Sequence, residues 1–168
     1  LEMLRRYHEG IICSSACVSG IIPQMYFAGR ADEARRWALT YREIFGDDFY
    51  LEVQDHGLSD PSWGGFSDRT LSEQIVRLGD ELGIKVIATN DNHYLTRDDA
   101  PTQDVLSCIG TASKLDDANR KRMTGSEFYL KSEDEMRELF SWAPEVIENT
   151  LEVADKCSYE LDWTHMYL

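Results

Sequence analysis

Asp91 and His93 stand two residues apart in Thr89-Asn90-Asp91-Asn92-His93-Tyr94. In extended chain, residues i and i+2 point the same way, so one carboxylate and one imidazole can face a single divalent metal ion. Cys17, in Ser15-Ala16-Cys17, would add a thiolate, and a sulfur, nitrogen and oxygen donor set suits zinc better than magnesium. Asp55 and His56, followed by Gly57, form a further acid–imidazole pair expected to line such a site. The same spacings also fit ordinary turn chemistry. Asp-x-His serves as a turn cap, Asp-His-Gly places its glycine at positive φ, and a lone Cys packs as a small hydrophobe. On spacing alone both readings stand.

Other chemistries find less support. Cys13 and Cys17 make a C-x3-C pair with no second pair to close a four-ligand zinc site. No G-x-S-x-G elbow, phosphate-cradling glycine loop or G-x-G-x-x-G fingerprint occurs. His8 and His165 lack chemical context. Arg120-Lys121-Arg122, preceded by Asp116 and Asp117, reads as part of a solvated loop over Thr111 to Gly125.

These candidates need elements to position them. Leu1 to Tyr7 reads as the last turns of a helix with Gly10 as its stop, and Ile11 to Ser14 as a short buried strand. Ala34, Trp37, Ala38, Tyr41 and Phe45 recur at helical spacing, which predicts a helix over Asp32 to Phe45 ended by Gly46. Phe49 to Val53 is a strand, and Leu58 to Ser67, with Pro61, Gly64 and Gly65, is a loop. A helix follows from Asp68 to Leu82, ended by Gly83. Ile84 to Ala88 is a strand apolar on both faces, as in a parallel sheet covered by helices. Helix, glycine, strand and polar loop thus appear twice in register, the rhythm of a parallel α/β fold. Each candidate site residue falls where a strand ends, which is where such folds gather function.

Further on, a helix after Asp99 is expected to turn Val105, Leu106 and Ile109 inward. Phe128 to Leu130 is a short strand, and Ser132 with Glu135 makes a capping box for a helix to Phe140. Pro144 opens a last helix whose face carries Val146, Ile147, Leu151, Val153 and Ala154 as far as Cys157. Linkers, repeats and low-complexity tracts are lacking, so 1–168 reads as one piece without an internal boundary.

Composition bounds the function. The 168 residues include 17 Lys+Arg and 31 Asp+Glu, a net charge of −14, which argues against a surface that grips phosphate backbone by itself. A hydrophobic fraction of 42% is enough for a core. There is neither a membrane-length apolar run nor a signal peptide. Four unevenly spaced cysteines suit reduced thiols in the cytoplasm. Opening inside a helical pattern, the chain reads as a piece of a longer one.

Several strings carry a specific resemblance. They are Tyr7-His8-Glu9-Gly10-Ile11-Ile12, Ser15-Ala16-Cys17-Val18-Ser19-Gly20, Pro23-Gln24, and Tyr41 to Gly46. Phe49-Tyr50-Leu51-Glu52, Gln54-Asp55-His56-Gly57, Ala88 to Leu95, and Glu127-Phe128-Tyr129-Leu130-Lys131-Ser132 complete the set. In this order they resemble the PHP (polymerase and histidinol phosphatase) domain of bacterial DNA polymerase III alpha subunits, over nearly the whole chain. The resemblance implies an α/β fold, the carboxy-terminal part of a distorted (β/α)7 PHP barrel with parallel strands alternating with helices. It implies divalent metal, zinc or manganese, bound at the strand ends, with Cys17, Asp91 and His93 as the ligands present here. The family's other ligands come from a His-x-His segment and from His and acidic residues earlier in the domain. One departure is Ile21, which stands where the family usually has Glu after Ser-Gly. The loop around Trp63 also diverges.

The resemblance further implies metal-assisted phosphoester hydrolysis in an intact domain, acting as 3′→5′ proofreading in some members and reduced to a structural module in others. Polymerase chemistry, served by magnesium, would reside in another domain of the parent chain, so no catalytic residue is assigned here and the piece alone is expected to be inactive. Implied partners are DNA through other domains, the exonuclease subunit and the sliding clamp. An error-prone alpha-subunit paralogue and a free-standing PHP phosphatase are the competing readings. A half barrel with bare strand edges is expected to self-associate.

Overall fold

The computed structural model describes residues 1–120 and 122–164. Lys121 and His165 therefore lie outside the described residues.

Three short parallel strands form the centre, in the order β1 (Cys13–Ser14), β2 (Phe49–Val53), β3 (Val86–Ala88). Cys13 is in register with Phe49, and Leu51, Glu52 and Val53 pair with Val86, Ile87 and Ala88. A crossover containing a helix joins each strand to the next, as parallel pairing requires. Helices α1 (Glu2–Tyr7), α2 (Ile21–Phe27) and α3 (Ala31–Phe45) flank β1, and α4 (Asp68–Leu82) leads into β3. Beyond β3 follow α5 (Ala100–Gly110), α6 (Glu133–Leu139) and α7 (Glu145–Lys156).

The core gathers Leu51 and Val53 of β2, Ile75 and Leu78 of α4, Val86 and Ala88 of β3, and Val146 of α7. Sequence explains the close approach of α4 to the sheet. A Cβ at Gly79 would lie 2.5 Å from Val86 Cγ2 and 2.8 Å from the Ile84 carbonyl, so only hydrogen fits there. Gly83 then ends α4 in the left-handed conformation at φ 62°, the usual helix stop. Ser67 and Thr70 cap the other end reciprocally. Alternation along β2 sends Leu51 to within 3.7 Å of Gly79's Cβ position, while the Tyr50 hydroxyl donates to Glu152 of α7 at 2.8 Å.

The helices and strands follow the expected α/β rhythm, with differences that have physical reasons. Helix α2 lies over Ile21–Phe27, a helix not expected from the sequence; it is only seven residues long, with Ile22 in the core and Ile21, Met25, Tyr26 and Phe27 packed partly buried against it. The inward face assigned to α5 is wrong. Leu106 and Ile109 are 55% and 73% exposed, and Cys108 is the buried residue of that helix. The helix is anchored instead from Asp104, which forms a bidentate pair with Arg120. That pair also corrects the reading of the Thr111–Gly125 loop, since the Arg120 side chain is only 1% exposed. On α7, Val146 and Ile147 are buried but Leu151 and Ala154 are exposed. The stretch Phe128 to Leu130 contributes a single parallel bridge, Tyr94 to Tyr129, rather than a full strand. The Leu58–Ser67 loop contains a one-turn 3₁₀ helix at Pro61–Trp63 and is closed by an antiparallel bridge between Ser59 and Ser67.

Candidate functional site

The loop after β3 holds the clearest chemistry. Asp91 adopts a left-handed backbone at φ 44°, a conformation that Asp tolerates better than most residues. The turn brings its Oδ1 to 3.3 Å from His93 Nε2, with both side chains about two-fifths exposed. An accessible oxygen and nitrogen donor side by side can take two coordination positions of a divalent cation, or pass a proton between them. His93 also lies on the rim of an open cleft of about 470 Å³ shared with Ser107, Thr111 and Arg122.

Cys17 is elsewhere. It lines a narrow recess with Glu52, Gln54 and Ser72, and its carbonyl accepts the Gly20 N–H at 2.7 Å. Among the described residues no group of three His, Cys, Asp or Glu converges as a metal site. The donor chemistry therefore fits a two-ligand corner at Asp91 and His93, and the structure does not join Cys17 to it.

Asp55 and His56 are buried, and each is engaged. Asp55 Oδ1 accepts the Gly57 N–H at 3.0 Å, an Asx turn. His56 Nε2 lies 3.0 Å from the Asn90 carbonyl; because a carbonyl only accepts, that nitrogen carries the proton. Its ring stacks on Phe128 at 4.1 Å, and His93 meets the same phenyl edge-on at 5.9 Å. Asp68 Oδ2 accepts the backbone N–H groups of His56 and Leu58, and burial raises its carboxyl pKa. His56 is thus a buried support behind the Asp91–His93 corner. His8, also left open by the sequence, packs edge-on to Phe45 at 6.2 Å.

Three polar residues that were not named as site candidates hold the region together. Glu52 gathers hydrogen bonds from Ser14, Gln54 and Thr89, tying the ends of all three strands. Asn90 Nδ2 donates to the carbonyls of Glu127 and Tyr129. Lys131 Nζ donates to Asn90 Oδ1. All three fall within strings that carry the family resemblance, and Glu52 also stands out as a carboxylate among the apolar residues of β2.

The PHP-domain family matches residues 1–56. A DNA polymerase III subunit alpha from Borreliella burgdorferi is 45% identical over 154 residues, 92% of this chain and 13% of that protein. The one from Helicobacter pylori is 42% identical over 96% of this chain and 14% of its own length. That from Treponema pallidum is 38% identical over 95% and 13%. The chain spans about one-eighth to one-seventh of the length of the curated relatives it matches. No helix among the described residues is long and apolar enough to cross a membrane. Along nearly its whole length, the chain is homologous to one segment of bacterial DNA polymerase III alpha subunits, a segment that includes PHP-domain sequence.

Proposed function

We propose that this chain is the carboxy-terminal part of a PHP barrel within a DNA polymerase III alpha subunit, and that the parent protein carries out DNA-directed DNA synthesis in the cytoplasm. The carrying observation is similarity to these subunits over 92% or more of the chain. Template and primer would be held by other domains of the parent, since this segment carries a net charge of −14. Magnesium would serve the polymerase centre, and the exonuclease subunit and sliding clamp would be the replisome partners.

Within the PHP module, Asp91 and His93 would supply a carboxylate and an imidazole to a divalent metal, zinc or manganese, with the remaining ligands from outside this chain. Such a metal polarises phosphate oxygens and lowers the pKa of a bound water. Cys17 joins that site only if the complete barrel carries it toward the corner. Its present separation from Asp91 and His93 favours a second reading, in which the module is structural. On its own, the segment would self-associate through uncovered strand edges.

The test is made on the parent chain. Purified protein should extend a primed template with magnesium and carry zinc or manganese by elemental analysis, and Asp91→Asn should lower that metal content. Failure of primer extension would remove the polymerase assignment. Unchanged metal content in Asp91→Asn would leave the structural reading of the module.

A further inference from the structure

Lys131 is a lysine that the fold has taken almost wholly out of water. Its side chain is 5% exposed, and desolvation lowers its pKa. Burial on this scale is costly for an ammonium unless its donors are satisfied. Here they are: Nζ donates to Asn90 Oδ1 at 3.1 Å and to the Glu127 carbonyl, and it sits 4.4 Å from the centre of the Tyr129 ring. Glu127 Oε2 lies 3.5 Å away and supplies the counter-charge.

The importance of this lysine lies in what Asn90 holds. Asn90 is the residue immediately before Asp91, and every polar atom of its side chain is used. Nδ2 donates to the carbonyls of Tyr129 at 2.7 Å and Glu127 at 3.0 Å, and Oδ1 receives Lys131. Its own carbonyl receives His56 Nε2. An asparagine amide fixed in this sense cannot turn over, because a flip would set Nδ2 against the ammonium and Oδ1 against two carbonyls. Backbone bonds continue the attachment, with the Phe128 carbonyl accepting from His93 N–H at 2.8 Å and Leu130 N–H donating to the Tyr94 carbonyl at 3.1 Å. Asp91, at positive φ, lies between two points of the chain that are both pinned.

We propose that Lys131 is a positioning residue for the Asp91–His93 corner, acting through the Asn90 side chain to hold the left-handed turn that brings the two donors together. This rests on the reading of Asp91 and His93 as metal ligands. Lys131 touches neither of them and would not touch a bound ion. Residues in this relation to a metal site change affinity about 10–100-fold when altered.

The experiment uses the full parent chain and Lys131→Met, which keeps the unbranched apolar stem of the side chain and removes the ammonium and its donors. In metal-free protein, amide hydrogen exchange at His93 and Tyr94 should accelerate while β2 and α3 exchange as before. Unchanged exchange at His93 and Tyr94 would overturn the proposal. In zinc titrations, Lys131→Met should bind about 10–100-fold more weakly, and Lys131→Arg, which retains donors, should recover part of the loss. Ala38→Gly, a buried substitution in α3, is the matched control. If it loses zinc affinity as much as Lys131→Met at equal loss of stability, the effect is general loosening and the proposal fails. If exchange responds as expected but Asp91→Asn binds zinc as wild type does, the ligand reading falls and the positioning of the turn stands.

Discussion

His56 lies flat on Phe128, ring centres 4.1 Å apart and planes 19° from parallel, although the two residues come from loops 72 positions apart in the chain. The far edge of the contact is shared, since His93 meets Phe128 at 76°. One phenyl ring thus backs both a buried imidazole and an accessible one. Phe128→Ala should cost about 3–5 kcal/mol, the usual range for emptying a buried aromatic position. Phe128→Leu should recover most of that while leaving His93 with a less defined orientation. Denaturant midpoints test the first statement, and His93 side-chain relaxation by NMR tests the second.

Asp68 satisfies two backbone donors at once. Asp68→Ala strands the N–H groups of His56 and Leu58, and should destabilise by about 2–4 kcal/mol. Asp68→Asn retains an accepting oxygen and should lose much less. Equal losses in the two variants, read from urea unfolding, would show that the hydrogen bonds matter little.

Two carboxylates set the behaviour in acid. Bonds from the Tyr129 hydroxyl and from Ser132 hold Glu135 at about 2 rather than the ordinary 4.5. Lys85 and the Tyr50 hydroxyl do the same for Glu152, also to about 2. Both folded values lie below the unfolded one. Their stabilising contribution is therefore complete above about pH 4.5 and drains away as pH falls toward 2. Stability measured between pH 5 and pH 2.5 should decline less steeply in a Glu135→Gln, Glu152→Gln double variant than in the wild type.

At position 91 the usual ranking of Gly and Ala should invert. A left-handed backbone costs a non-glycine residue about 1–2 kcal/mol, so Asp91→Gly should be the more stable of the two by about 1 kcal/mol. Both remove the carboxylate and both should lower metal content in the parent chain. Thermal unfolding of the pair decides the ranking. If Ala proved the more stable, Asp91 would not occupy the left-handed region in solution.

Gly79 permits no side chain. Gly79→Ala would press against Val86 and the Ile84 carbonyl, and should cost about 1–3 kcal/mol despite the better helix propensity of alanine. A neutral result in urea unfolding would mean that α4 can shift away from β3.

Local patterns made much of this legible in the sequence. The helix over Asp32 to Phe45 and the one over Asp68 to Leu82 announce themselves by apolar spacing and by glycine stops at positive φ. The capping box at Ser132 and Glu135 is a three-residue relationship, and it forms as read. Burial of α5 was misjudged because Val105, Leu106 and Ile109 look like a core stripe, whereas burial depends on what packs opposite, and nothing among the described residues covers Ile109. Arg120 was misread for the complementary reason. Its partner Asp104 lies 16 positions away, outside any local window. Asp91 and His93 do lie side by side, but through the left-handed turn at Asp91 and not through the extended chain that their i, i+2 spacing suggests. The contact of Lys131 with Asn90 is not legible locally, since it spans 41 residues and only the tertiary fold creates it.

The attachment of α7 to the sheet bears on how the protein can be made. Glu152 takes the Tyr50 hydroxyl, and Asn149 donates to the Val86 carbonyl at 2.8 Å, so groups from the middle of the chain wait for partners near its end. During synthesis β2 and β3 emerge well before Glu145–Lys156, with the Tyr50 hydroxyl and the Val86 carbonyl at the start of β3 still lacking these partners. These two bonds can form only after a further stretch of translation. Nascent chains stalled before Glu145 should be held by chaperones or degraded, and chains stalled well past Lys156 should resist protease.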